Sequence, residues 1–254
     1  MRYIEQSPDR AQDICRAICS GPVPAILVTR GQAPPDPLLK VARAAGVPIL
    51  ITPRNTAEAI GIVLHHLAVH LAPRVRVHGV LVDVYGLGIL ILGESGIGKS
   101  ECALELVARG HRLVADDSVE IRLIEDQLIG GAPPISRHHM EVRGLGIMNA
   151  FEMFGVTAVR DSILVEQVVR LVRFDPERPF DRLGSDTASW EALGRSLSLY
   201  EIPVAPGRNL AVLLEVAARR RLLLRHGRDA ARDLREMLAH RILENTPRES
   251  QGDR

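Results

Sequence analysis

The stretch Gly93-Glu94-Ser95-Gly96-Ile97-Gly98-Lys99-Ser100 has the spacing G-x-x-x-x-G-K-[ST] of a loop that cradles phosphate. Its glycines let successive N–H groups bend onto one anion. Lys99 is placed to reach β- and γ-phosphates as a compact point charge, and the Ser100 hydroxyl to hold Mg²⁺. The chain has 32 Lys plus Arg, yet only Lys40 and Lys99 are lysines, and one of them stands where the motif requires it. With this composition, chance produces the pattern in about one such chain per thousand.

Further residues along the chain have types suited to phosphoryl chemistry. Asp116 and Asp117 follow the apolar run Leu113-Val114-Ala115. Carboxylates at a strand end face the ligand crevice in open α/β folds, where they either hold Mg²⁺ or take a proton from a hydroxyl. Two solvated turn carboxylates are the bland alternative. Glu141 and Arg143 stand close to Gly144 and Gly146 in a stretch running to Asn149. A tight loop there presents either a Mg²⁺ ligand and an anion clamp, or an exposed ion pair on a turn. His78 opens the alternating run Val77 to Val84, and a lone His in that position is usually structural. Asp181-Arg182-Leu183-Gly184 lies in a polar loop, and Ala205-Pro206-Gly207-Arg208-Asn209 is a rigid turn after Val204 that displays Arg208 and caps the next helix.

The elements that must hold these groups are legible. Ile89-Leu90-Ile91-Leu92 reads as a buried strand entering the phosphate loop, and Glu101 to Arg109 as the helix leaving it, stopped by Gly110. A phosphate at that helix start meets free N–H groups and the positive dipole end. Val77 to Val84 turns at Tyr85-Gly86 into Leu87 to Leu92, a hairpin that feeds the loop. This reading sets His78 on a strand beside the phosphate-loop strand. A second hairpin is expected over Asp126, long strands over Ser162 to Phe174 and Ser196 to Val204, and helices over Leu210 to Leu224 and Asp229 to Glu244. Residues 1–77 alternate helix and strand: Asp9 to Cys19 with Ser7 as its cap, Ala25 to Thr29, Asp36 to Ala45, Val47 to Ile51 and Thr56 to Leu71. Ala72-Pro73-Arg74 is the linker. The expected organisation is an N-terminal α/β domain over 1–73, a catalytic domain over 74–246 and a disordered tail over 247–254.

Composition narrows the function classes. A chain of 254 residues with 46% hydrophobic and 25% charged residues is ordinary for a globular protein. Its formal charge of +1 supplies no field toward nucleic acid or anionic membrane, and 3% aromatics argue against a base-stacking platform. The run Arg219-Arg220-Arg221 reads as a solvated or intersubunit face. No apolar run approaches membrane-spanning length, so a cytoplasmic location is the default expectation. Cys15, Cys19 and Cys102 lack paired spacing and suit a reducing compartment, with Cys15 and Cys19 on one helix face as core. His65, His66 and His70 have no acidic partner among them and read as surface or packing residues.

Taken in order, these stretches resemble the bacterial HPr kinase/phosphorylase family from about Pro24 to Ile242. The likeness runs through Ala25 to Gly31, His78 to Asp83, Gly93 to Ser100, Arg109 to Asp117, Glu141 to Ile147, Asp181 to Gly184 and Pro203 to Asn209. The resemblance implies a P-loop kinase core like that of phosphoenolpyruvate carboxykinase, preceded by a small α/β domain and followed by helices, assembled as a homohexamer. It implies phosphorylation of a serine on the phosphocarrier protein HPr with ATP or pyrophosphate, and removal of that phosphate by inorganic phosphate to give pyrophosphate. It makes Asp117 the base toward the seryl hydroxyl and the acid in reverse. Lys99 and His78 become ligands of the transferring phosphoryl group, Ser100 and Glu141 ligands of Mg²⁺, and Arg182 a further catalytic cation. The turn from Val204 through Pro206, Gly207 and Arg208 to Asn209 matters most for dephosphorylation.

Two features depart from the family pattern. The segment ahead of His78 is shorter than usual, so the N-terminal domain is read as abbreviated. Cys102 stands where the phosphate-loop helix usually has Thr, a change expected to be silent. Two other readings stay open on the residues: a kinase of another carrier protein or small molecule with the same core, and a non-enzymatic nucleotide-binding regulator. The second has no use for the proton acceptor Asp117.

Overall fold

A computed structural model describes residues 8–177 and 188–245. The chain forms two compact units, Met1–Leu71 and Ala72–Arg254. In the first, α1 (Pro8–Cys19), β1 (Ile26–Val28), α2 (Asp36–Ala45), β2 (Ile49–Ile51) and α3 (Thr56–His70) alternate, and β1 pairs in parallel with β2, Ile26 opposite Ile49. Cys15 and Cys19 are buried against Ala11, Leu38 and Ala42, so both thiols serve as packing. Gly46 ends α2 in the left-handed region at φ 69°, and the Asn55 side chain caps α3 by accepting from the Glu58 N–H at 2.9 Å. The His66 and His70 rings meet edge to face at 4.0 Å, and no cluster of three metal-ligating side chains occurs among the described residues. Ser7, expected to cap α1, lies outside those residues.

The second unit is built on β3 (Arg74–His78), β4 (Val80–Val84), β5 (Leu87–Gly93), β6 (Arg112–Ala115), β7 (Ser118–Ile124), β8 (Gln127–Gly131), β11 (Ser162–Arg173), β12 (Ala188–Ala192) and β13 (Arg195–Val204). Among the described residues these make one nine-stranded sheet, ordered β3-β7-β8-β11-β5-β4-β6, with β13 also on β11 and β12 on β13. A separate hairpin pairs β9 (His139–Val142) with β10 (Gly146–Asn149). The helices are α4 (Lys99–Ala108), the short α5 (Ala150–Phe154), α6 (Leu210–Arg225) and α7 (Ala230–Asn245). Among the described residues no helix is long and apolar enough to cross a membrane.

The uninterrupted apolar run of β5 follows from burial on both faces. Because side chains alternate, Ile89 and Ile91 join Val80, Val82 and Val84 of β4 against α4 and α6, while Leu90 and Leu92 join Leu81 against Val119 and Ile121 of β7. The β4–β5 hairpin turns through Tyr85 and Gly86, at φ 56° and 84°, the backbone a two-residue turn of this hand requires. Strand direction then aligns the site. β5 runs parallel to β11 and β11 parallel to β13, while β6 is antiparallel to β4, which is itself antiparallel to β5. The C-terminal ends of β5, β6, β11 and β13 therefore leave the same sheet edge.

One expected element is corrected. Val77 to Val84 is not a single strand beside β5: β3 ends at His78 and pairs with β7, His78 opposite Ser118, and β4 starts only at Val80. Gly79 makes the break, its N–H donating to the Asp117 carbonyl at 3.1 Å. A Cβ at Gly79 would lie 2.7 Å from the Ile91 carbonyl oxygen, so only glycine admits this close crossing. The stretch Asp181 to Gly184, expected in a polar loop, lies outside the described residues, and β12 starts at Ala188. Gly88 is the tightest position of the sheet, where a Cβ would sit 2.2 Å from the Leu164 carbonyl oxygen across the β5–β11 pairing. Gly88→Ala is expected to cost about 1–3 kcal/mol. Thermal unfolding should show a Tm lower by roughly 2–4 °C per kcal/mol, and an unchanged Tm would contradict the pairing.

Candidate active site

The phosphate loop leaves β5 with Gly93, Gly96 and Gly98 at φ 151°, 77° and 103°, conformations that turn the backbone N–H groups inward at the start of α4. His78, Lys99, Ser100, Asp117, Glu141 and Arg143 line one cleft with the loop residues Ser95, Gly96 and Gly98. The separate stretches singled out in the sequence thus meet at the edge where β5 and β6 end. At Gly79 the chain passes from β3 to β4, and His78, the residue before it, lines the cleft.

Lys99 is 6% exposed, and its three protons are all engaged. Its Nζ donates to the Gly93 carbonyl at 3.0 Å and the Glu94 carbonyl at 2.9 Å, and sits 3.3 Å from Nε2 of His78. The imidazole's Nδ1 lies 3.0 Å from the Asp117 carbonyl oxygen and 3.1 Å from the Asp117 carboxylate. Two acceptors at Nδ1 and a donor-only ammonium at Nε2 fix one tautomer: Nδ1 carries the proton and Nε2 accepts. His78 therefore bridges Lys99 to Asp117 through its two ring nitrogens. Burial pulls the Lys99 ammonium below its ordinary pKa, opposed by the carboxylates of Asp117, Asp116 and Glu101.

Asp116 and Asp117 are adjacent but differently employed. Asp116 is 3% exposed and held from both sides, its Oδ1 accepting from the Ser100 hydroxyl at 2.8 Å and its Oδ2 from the Glu141 N–H at 2.9 Å. Burial pushes its carboxyl above the usual carboxylate value; the donors from Glu141, Ser100 and the Asp117 N–H oppose this, and the Asp117 charge adds to it. Asp117 turns through φ 62°, which points its side chain, 72% exposed, out into the cleft beside His78. An exposed carboxylate with free lone pairs can take a proton from an incoming hydroxyl; Asp116, with both oxygens accepting bonds, is built to orient.

Glu141 and Arg143 come from the β9–β10 hairpin. Its turn closes with the Leu145 N–H donating to the Val142 carbonyl at 3.0 Å, with Gly144 at φ 87° in the third position, where a type II turn needs it. Gly146 follows at φ 85°. Arg143 lies over the phosphate loop so closely that a Cβ on Gly96 would meet its guanidinium at 2.5 Å. The stretch read as a tight loop is thus a two-stranded arm that brings a carboxylate and a guanidinium to the phosphate cradle. Ser100, whose hydroxyl donates to Asp116, and Glu141 both line the cleft, and their side-chain oxygens are of the kind a hard dication takes.

Other expected residues take different places. Asn149 caps α5, its side chain accepting from the Phe151 and Glu152 N–H groups at 3.0 and 3.3 Å. The turn from Val204 through Pro206 and Gly207 leaves β13 at the edge shared with the phosphate loop, since Gly93 is opposite Leu171, which is opposite Ile202. There Arg208 donates to the Pro203 carbonyl at 3.3 Å and Asn209 caps α6, accepting from the Val212 N–H at 2.8 Å. Arg182 lies outside the described residues; Arg173, which ends β11, pairs with Glu94 of the phosphate loop at 3.1 Å. Glu101, which also lines the cleft, was not among the residues expected; its position directly after Lys99-Ser100 was the available signal. Cys102, one turn into α4, has its thiol pushed up to about 12 by burial, so closeness to the helix start does not activate it.

Comparison with known proteins agrees with this geometry. A family model described as the HPr Serine kinase C-terminal domain matches residues 69–238, and one described as the HPr Serine kinase N terminus matches residues 1–67. The chain is 45% identical over 242 residues to the HPr kinase/phosphorylase of Geobacter sulfurreducens, covering 94% of this chain and 76% of that one. It is 46% identical over 235 residues to the HPr kinase/phosphorylase of Bacillus cereus, covering 92% and 76%. Among solved structures, the HPr(Ser) kinase/phosphatase from Coxiella burnetii aligns with a TM-score of 0.58 at 32% identity, over 63% of this chain and 98% of that one.

Proposed function

The chain belongs to the HPr serine kinase family, and from that premise we propose that it moves a phosphoryl group onto and off a serine of the phosphocarrier protein HPr. The observation that carries the reading is the chain of contacts from Lys99 Nζ through the His78 ring to the Asp117 carboxylate, at 3.3 and 3.1 Å, on the wall of a phosphate cradle. In the forward direction Asp117 accepts the proton of the seryl hydroxyl as its oxygen forms the new P–O bond and the bond to the nucleotide breaks. In reverse, inorganic phosphate attacks the seryl phosphate, Asp117 returns the proton to the departing serine oxygen, and pyrophosphate is left. Lys99 and the loop N–H groups hold the transferring group in both directions, and His78 keeps Lys99 and Asp117 in fixed relation.

Ser100 and Glu141, with Asp116 behind them, would hold Mg²⁺, which supplies charge neutralisation on the phosphate oxygens when bound. Arg143 would clamp the donor, and Arg182 is assigned a further cationic role. The turn Val204 to Asn209 would present Arg208 to the inbound phosphate of the reverse reaction. ATP or pyrophosphate is the donor. Residues 1–73 are assigned to an abbreviated N-terminal α/β domain and 74–246 to catalysis, within a cytoplasmic homohexamer.

The test is direct. Incubation with ATP, Mg²⁺ and HPr should raise the HPr mass by one phosphoryl group on a serine, and transfer of the product to inorganic phosphate should restore it with release of pyrophosphate. An HPr mass that stays constant while ATP is consumed would end this assignment.

A further inference from the structure

Outside the cleft, the faces of α4 and α6 are joined by a ladder of polar side chains that the scheme above does not use. The Asn209 amide is fixed from both ends: its oxygen accepts from Val212, and its Nδ2 donates to the Glu105 carboxylate at 2.6 Å. Glu105 also accepts from Arg109 at 2.8 Å, one helical turn on. Arg109 reaches Glu215 of α6 at 3.5 Å, and Glu215 in turn lies 3.1 Å from Nε2 of His111. The donors from Asn209 and then Arg109 hold the Glu105 carboxyl below the usual carboxylate pKa. Glu105 is 41% exposed, so it is not core packing, and exposed pairs of this kind contribute little to stability. Its effect is geometric.

We infer that Glu105 is a positioning residue: through Asn209 it sets the turn 205–209, and with it Arg208, relative to the phosphate loop. Glu105 is six residues beyond Lys99 on the same helix, so its carboxylate moves rigidly with the cradle. The turn leaves β13 and opens α6, which already packs on α4; what the turn itself lacks is a polar tie to that helix. Within the turn, the Arg208 N–H donates to the Ala205 carbonyl at 3.1 Å, a bond that closes the turn without tying it to α4. Glu105 supplies the tie. The inference rests on the reading of Arg208 as an anion-binding group.

Binding of inorganic phosphate to the full chain, measured by calorimetry, tests it without requiring turnover. Glu105→Ala and Arg208→Ala should each weaken phosphate by about tenfold, and the double variant should bind no more weakly than Arg208→Ala alone. Glu105→Gln, which keeps an acceptor for Asn209, should bind within about threefold of the original chain. Thermal unfolding separates the alternatives: a merely structural Glu105 would lower Tm and add its loss to that of Arg208→Ala. Losses that multiply, a Glu105→Ala chain that is folded and binds normally, or a Gln variant as weak as Ala would each overturn the inference. An original chain that transfers no phosphoryl group to HPr but binds phosphate with this pattern would remove the catalytic assignment and keep the positioning role. One that binds no phosphate removes both.

Discussion

Asp117→Asn is expected to lower phosphoryl transfer to HPr by about 10²–10⁴-fold, the usual worth of a positioned proton acceptor, while nucleotide affinity changes little. The substitution isolates the chemistry because the site keeps its frame. Asn tolerates the left-handed backbone that Asp117 adopts at φ 62°. The bonds that lock the corner, from the Gly79 N–H and from Nδ1 of His78, end on the Asp117 carbonyl and survive the change. What disappears is a group able to take the seryl proton. The check is a kcat measured with saturating ATP beside a nucleotide Kd and a Tm. A variant that keeps most of its turnover assigns the base elsewhere; one that loses nucleotide affinity to the same degree gives Asp117 a binding role instead.

Lys99→Met is expected to cost about 10³-fold or more in transfer and to weaken ATP, because charge at the β- and γ-phosphates is the main thing a protein contributes to this reaction. The effect on stability should be small. The ammonium is almost wholly buried, so removing it ends a desolvation cost as well as three hydrogen bonds, and the two terms largely offset one another. The sign of the pH dependence follows from the same burial. Lowered below the ordinary lysine pKa, Lys99 binds its proton less tightly in the folded chain than in the unfolded one, so it makes stability rise with pH across the alkaline interval just under that value. The Met variant should lose this rise. Transfer within tenfold of the original chain would show that the loop amides alone suffice.

The parts of the site that were legible in the sequence are those written locally. Loop, flanking strand and helix occupy one continuous stretch, and the glycines at 93, 96, 98, 144 and 146 mark the backbone conformations they adopt. Asn209 caps α6 as its position before a helical run predicts. What the sequence hid is long-range. The run around His78 alternates as one strand should, and its interruption depends on the carbonyls of Asp117, at the corner between β6 and β7, and of Ile91 in β5, which approach Gly79 from distant parts of the chain. The partner of Glu105 lies 104 residues away, and nothing in an i,i+4 Glu–Arg pair indicates that a third group will join it. The two aspartates read alike in a row of letters; only burial separates the one that orients from the one that faces the cleft. The family likeness extends what local patterns gave, because the order of motifs along the chain constrains which distant stretches converge.

The full engagement of Lys99 has one more consequence. A cation left with a vacant proton would seize the first phosphate to arrive and release it slowly. Here the incoming anion must displace acceptors that already satisfy the ammonium, so occupancy is an exchange between near-equals. Such a cradle has no deep trap for donor or product. That shallow landscape is what a catalyst needs if the prevailing concentrations of the two sides, rather than the protein, are to decide which way the group travels.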